Sequence, residues 1–269
     1  MAQETTRSGE AALPRFPTLQ GKNAIVTGGS RGVGKGIALE LASRGANVLI
    51  TYASAKTQAE DVSREIQALG VDCVAVAAAG TDHTAPKTIV DAAIQKWGVI
   101  DILVNNAAVG GEFTLLETTD EQFETQIAIN LRFPLFLIKE AVPYFGRAPR
   151  IVNMSSMYSR SGHAGCLVYS ACKGGMESAT RSLARELGHK YNATVNCVMP
   201  GPVNTDLWAK AISNPEAQEA WKGPIHDTPA APRIAEPDDV AQIVAFLCEE
   251  RSRWTTGSVV NATGGMLFV

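Results

Sequence analysis

The run Thr27-Gly28-Gly29-Ser30-Arg31-Gly32-Val33-Gly34 constrains the fold more than any other stretch of this chain. It follows a short apolar run, 23–27, and opens an amphipathic segment, 33–44, closed by Gly45. Glycines at 28, 32 and 34 permit a tight turn, a close backbone approach to a bound group, and close packing of helix on strand. The first N–H groups of the helix have no partner inside it and favour an anion such as a pyrophosphate. Strand, glycine turn and helix in that order read as the start of a βαβ unit built to hold a dinucleotide.

The rest of the chain keeps that rhythm. Further strands are expected at 46–52, 72–77, 100–105, 150–155, 194–199 and 258–262, and helices at 56–69, 86–97, 120–145, 168–190 and 237–249. Pro86 and Pro237 stand where first-turn prolines belong. Ala24-Ile25-Val26 and Ile102-Leu103-Val104 are apolar without alternation, as in parallel strands covered on both faces. The expected fold is α/β: a Rossmann-type, doubly wound parallel sheet of about seven strands in a single domain over 19–269. Residues 1–18 are polar and read as a flexible tail without a signal peptide's apolar core. The stretch 200–235 breaks the rhythm; it is rich in proline and carries Trp208 and Trp221, which reads as a lid over a substrate.

Composition excludes several functions. Lys and Arg number 24 against 27 Asp and Glu, a net charge of −3, which offers nothing to nucleic acid or an acidic membrane. No apolar run reaches the ~18 residues of a membrane span. The five cysteines, Cys73, Cys166, Cys172, Cys197 and Cys248, are scattered without Cys-x-x-Cys spacing. Neither a disulfide framework nor a metal site is expected, and a reducing, cytoplasmic setting fits.

Tyr169 and Lys173 stand four apart in an expected helix, which puts them on one face. A neighbouring ammonium favours the phenolate, so the tyrosine is expected to titrate below its usual ~10 and serve as a proton donor.

Taken together, Gly-x-x-x-Gly-x-Gly, Asn105-Asn106-Ala107-Ala108, a serine thirteen residues before Tyr-x-x-x-Lys, Pro200-Gly201 and Thr263-Gly264-Gly265 resemble the short-chain dehydrogenases/reductases. The resemblance runs from about residue 20 to the C-terminus. It implies that Tyr169 is the general acid, that Lys173 holds the nicotinamide ribose and lowers the tyrosine pKa, that Ser156 hydrogen-bonds the substrate oxygen, and that Asn130 holds a water of a proton relay. Ser155 is the competing serine, and the spacing favours Ser156. The dinucleotide would lie along Gly28, Ser30, Arg31, Gly32, Val33 and Gly34, then Tyr52, Ser54, Asn105 and Ala107. It would end at Tyr169, Lys173, Pro200, Gly201, Val203 and Thr205. The chain departs from the family at Ala108, where glycine is usual, and at Ala79, where an Asp or Asn commonly meets the adenine.

Thr51-Tyr52-Ala53-Ser54-Ala55-Lys56 carries no acid at the end of the second strand, and Arg31 can meet a 2′-phosphate, so NADP(H) is the expected cofactor. Met157, His163, Cys166, Leu207 and Trp208 would line a mostly apolar pocket suited to a bulky, neutral, cyclic carbonyl compound. The pattern is similar to fungal reductases of secondary metabolism such as the hydroxynaphthalene reductases. The 3-oxoacyl-carrier-protein reductases and alcohol dehydrogenases share these motifs, and a non-catalytic NADP-binding sensor is the reading from another class. The resemblance also implies a homo-oligomer, tetramer or dimer, built on helices near 120–145 and 168–190.

Overall fold

A computed structural model describes residues 17–268. Seven strands, β1 (Asn23–Val26), β2 (Asn47–Tyr52), β3 (Cys73–Ala77), β4 (Ile100–Asn105), β5 (Phe145–Met154), β6 (Thr194–Pro200) and β7 (Val259–Ala262), form one sheet. Their order is 3-2-1-4-5-6-7 and every neighbouring pair is parallel. The chain winds outward from β1 in one direction and then, from β4, in the other. The reversal between β1 and β4 opens a crevice at the carboxyl ends of the strands.

Both faces of the sheet are covered. On one, α1 (Gly32–Ser43), α2 (Lys56–Ala68) and α10 (Pro237–Cys248) bury Ile37, Leu41, Val62, Ile66, Val240 and Val244 against the strands. On the other, α3 (Ala85–Trp97), α5 (Phe133–Ala141) and α7 (Leu167–Tyr191) supply Ile89, Ala93, Phe133, Leu137 and Leu187. The two-sided cover explains the apolar strands without alternation.

Two expectations about elements need correction. The long helix expected at 120–145 is broken: α4 (Asp120–Ile127) passes through a π turn, Ala128–Arg132, into α5 and then a 3₁₀ turn. Pro134 has no N–H to give the carbonyl of Asn130 four residues back, and Phe133 N–H instead reaches Ala128 O. The fifth strand starts five residues earlier than expected. The segment 200–235 holds two helices, α8 (Asp206–Ala211) and α9 (Pro215–His226), started by the side chains of Thr205 and Asn214. Its ends are pinned together, with Asn204 N–H on Ala235 O and Ala235 N–H on Pro202 O. The expected N-terminal tail lies outside the described residues except for Pro17 and Thr18.

One buried ion cluster joins the ends of α1 and α10. Arg44 donates to Glu40 Oε1 (2.7 Å from Nε), to Glu249 Oε1 (2.6 Å) and to Gln242 Oε1 (2.7 Å), and Glu249 also accepts from Thr18 Oγ1 at 2.6 Å. Burial would push the Glu249 carboxyl up, but its hydrogen bonds from Thr18, Arg251 and Arg44 hold it below the ordinary carboxylate range. Its contribution to stability is therefore present at neutral pH and is lost as pH falls through that range. Glu249→Ala would leave the Arg44 charge short of a partner and should destabilise the fold by about 3 kcal/mol in denaturant unfolding. A change under about 0.5 kcal/mol would contradict this account.

Candidate active site

The glycine turn sits at the carboxyl end of β1, locked to the end of β4. Thr27 Oγ1 accepts from the N–H groups of Asn106 (2.9 Å) and Ala107 (3.0 Å), and Asn106 Nδ2 donates to Thr27 O at 2.9 Å. Thr51 Oγ1, at the end of β2, accepts from Gly28 N–H at 3.1 Å. Thr27, Thr51 and Asn106 are residues that the motif reading passed over. A hydroxyl directly before the glycines was the signal available for Thr27.

The turn fits a dinucleotide phosphate. At Gly34 a Cβ would stand 2.2 Å from Gly28 O and 2.4 Å from Asn106 Nδ2, so only glycine lets helix and turn approach this closely. Gly28 and Gly32 have φ of +67° and +54°. No side chain caps α1 and no acid lies in its first turn, which leaves its leading N–H groups to an anion. A cleft of about 500 Å³ between α1 and α2 is lined by Ser30, Arg31, Gly32 and Lys35 on one side and Asp61, Arg64 and Glu65 on the other. Arg31 is largely exposed and lies 3.7 Å from Asp206 of α8. Tyr52 is half-buried at the end of β2 and Ser54 is exposed just beyond it, while Lys56 lies 3.8 Å from Glu60.

Asn105 donates to Asn153 Oδ1 (2.8 Å), and Asn153 to Thr180 Oγ1 (2.9 Å), a buried polar link across β4, β5 and α7. Pro200 ends β6 and Gly201 follows it, and Pro200 O receives Met157 N–H at 2.9 Å. Val203 is buried and bridges to Ala235. Thr205 caps α8, and its methyl would lie 3.2 Å from a Cβ on Gly32, so the first turn of the 200–235 segment rests on the glycine turn.

The structure brings Ser156, Tyr169 and Lys173 together where the end of β5 meets the start of α7. Ser156 Oγ accepts from Tyr158 N–H at 3.3 Å and stands close enough to the Tyr169 phenol to favour its ionised form. Lys173 is 3% exposed; its Nζ donates to Met154 O at 2.8 Å and lies 5.5 Å from the Tyr169 ring centroid. The expected lowering of the tyrosine pKa is corrected here. Burial pushes the Tyr169 phenol up to about 12, and Ser156 opposes this only in part. Burial likewise brings Lys173 down to about 8. In this dense setting desolvation is the largest influence on both groups.

Ser155, the competing serine, turns away to Glu177 Oε1 at 2.8 Å. Asn130 lies in the π turn, 1% exposed, and its side chain clasps the backbone of Val109: Oδ1 accepts from Val109 N–H and Nδ2 donates to Val109 O, each at 3.0 Å. Each of these two atoms keeps one further hydrogen-bonding site. Its main-chain carbonyl, which Pro134 cannot serve, is a further acceptor open to a water.

Aromatic rings gather around α6 (Tyr158–Ser161), α8 and α9. Tyr158 stacks on His163 (4.5 Å, 5°), Trp221 lies 6.4 Å from His163, and Trp208 meets Trp221 edge-on at 4.9 Å. Leu207 reaches over Gly110, while Met157 and Cys166 are buried below. Among the described residues, Glu112, His163 and Cys166 place one donor atom each within 4.8 Å of the others. Burial pushes the Cys166 thiol up to about 11, which favours the protonated form over a metal-binding thiolate.

A family model described as enoyl-(acyl carrier protein) reductase matches residues 28–267. The chain is 52% identical over 254 residues to the short-chain dehydrogenase/reductase FrzI of a Cladobotryum species, covering 94% of this chain and 98% of that one. It is 37% identical over 257 residues to a hydroxynaphthalene reductase-like protein of Metarhizium anisopliae, covering 92% and 96%. Among solved structures it is similar to the angucycline C-6 ketoreductase LanV with bound NADP, at 32% identity and a TM-score of 0.85, covering 93% of this chain and 97% of that chain. With its sheet order, its glycine turn and these relatives in agreement, the chain belongs to the short-chain dehydrogenase/reductase family of oxidoreductases.

Proposed function

We propose that the protein is an NADPH-dependent ketoreductase that converts a bulky cyclic or aromatic ketone to a secondary alcohol. The observation that carries this reading is the meeting of Ser156, Tyr169 and Lys173 beside the glycine turn. The NADP bound to LanV, and the acid-free end of β2 with Arg31 opposite, support the choice of cofactor. When bound, the nicotinamide supplies the hydride.

The residues of the chain manage the proton. A phenol near 12 is fully protonated at neutral pH, so Tyr169 is poised as an acid toward the substrate oxygen. Ser156 steadies that oxygen as charge builds on it and the phenolate as the proton leaves. The Lys173 ammonium stabilises the same phenolate, and the proton is replaced from solvent through a water on the Asn130 carbonyl. His163, Tyr158, Trp208 and Trp221 offer flat apolar faces to a ring system. The α8–α9 segment closes over it, and the sequence pattern favours carbonyl over enoyl reduction through its four-residue Tyr–Lys spacing. Five free, buried cysteines suit a reducing compartment such as the cytoplasm. Partly exposed Phe123 and Phe136 on α4 and α5 suit burial in a homo-oligomer.

A panel of cyclic and aromatic ketones, followed by NADPH oxidation, tests the reading; binding of NADPH without oxidation by any of them would favour the sensor. Tyr169→Phe should retain NADPH affinity and lose turnover by ~10² or more. Reductive turnover should fall as pH rises through about 8, where Lys173 gives up its charge, and not near 10. In fluorescence titration NADPH should bind more tightly than NADH, and Arg31→Ala should weaken NADPH by about tenfold while leaving NADH nearly unchanged. Equal losses for both cofactors would exclude a 2′-phosphate contact.

A further inference from the structure

The segment carrying Ser156 is fastened to α7 at a point that the proton transfer does not use. Glu177 lies two turns beyond Tyr169 and one beyond Lys173, on the same face of α7. It is 5% exposed, and its carboxylate accepts from Ser155 Oγ (2.8 Å), Ser159 Oγ (2.6 Å), Arg160 Nε (3.0 Å) and Arg160 Nη2 (2.9 Å). Burial would raise this carboxyl, but those donors hold it below the usual range and keep it ionised at neutral pH.

All four donors come from the six residues that carry Ser156. Ser155 precedes it and Ser159 and Arg160 follow, while Ser159 Oγ also lies 2.7 Å from Ser156 O. One turn back along the helix, Lys173 holds Met154 O. Glu177 grips a single short loop, and Ser156 sits in the middle of the gripped span.

We propose that Glu177 is a positioning residue, which holds Ser156 in place beside the start of α7, where Tyr169 lies. The inference rests on the reading of Ser156 and Tyr169 as the reacting pair. Glu177 does not touch substrate; it fixes the 155–160 loop against the helix that carries the acid. Loss of its charge frees Arg160 and loosens the serines, and a small displacement of Ser156 costs rate rather than cofactor binding.

The test compares Glu177→Gln, Ser156→Ala and the double variant, with NADPH and a ketone that the wild type reduces. Glu177→Gln should bind NADPH within about twofold of wild type and lose about tenfold or more in kcat, with a smaller change in KM. Ser156→Ala should cost much less in the Glu177→Gln background than alone, because both act through one contact. Amide hydrogen exchange across 155–160 should quicken in Glu177→Gln while the sheet keeps its protection. Unchanged kcat, or losses that multiply independently, would overturn the proposal. Should Glu177→Gln fail to fold, Ser155→Ala and Ser159→Ala carry the same comparison, since each removes one bond without stranding a charge. If the wild type reduces no ketone, that counts against the ketoreductase reading; exchange at 155–160 then decides the positioning role by itself, and unchanged exchange refutes it.

Discussion

The hydroxyl of Thr27 and the amide of Asn106 hold the carboxyl ends of β1 and β4 together at the point where the winding of the sheet reverses. Two parallel strands with chains departing to opposite faces leave a gap there, and without side-chain bonds their last backbone groups would stand unpaired. The link closes the gap enough to fix the glycine turn and leaves the crevice beyond it open. Gly28 and Gly34 then bring backbone against backbone, and the uncapped start of α1 points where a phosphate would lie. Everything assigned to the dinucleotide rests on that joint.

The second organising element is α7. A helix of 25 residues places Tyr169, Lys173 and Glu177 in file, one turn apart. The end of β5 runs alongside and is tied to the file through Met154, Ser155, Ser159 and Arg160. The three side chains divide the work among a proton, a charge and a position. Burial sets the balance: it holds the phenol protonated, near 12, and brings the lysine within reach of neutral pH, near 8. An acid with so high a pKa surrenders its proton only when something stabilises the phenolate, which is the task open to Ser156 and the ammonium.

Much of this was legible in the chain. The apolar strands without alternation pointed to a two-sided parallel sheet, and the glycine spacing pointed to its phosphate turn, because both signals are local and carried by residue type. The break at Asn130 was not read, although Pro134 four residues later marks the missing donor. The helices of 206–226 were hidden by prolines, yet Pro215 stands in a helix's first turn, where its missing N–H costs nothing. Glu177 looked like one more polar residue on a helix until the fold brought Ser155, Ser159 and Arg160 onto it.

The sequence by itself determined the class of fold, the turn for the phosphate and the identity of the tyrosine–lysine pair, since each follows from spacing along one strand or one helix. The tertiary structure alone decided how those groups titrate, which of two adjacent serines faces the tyrosine, and what Asn130 does with its side chain. Those outcomes depend on desolvation and on hydrogen bonds between segments far apart in the chain, and neither quantity is carried by local spacing. The pair on α7 was expected to act through charge, and the packing around it made burial the stronger term.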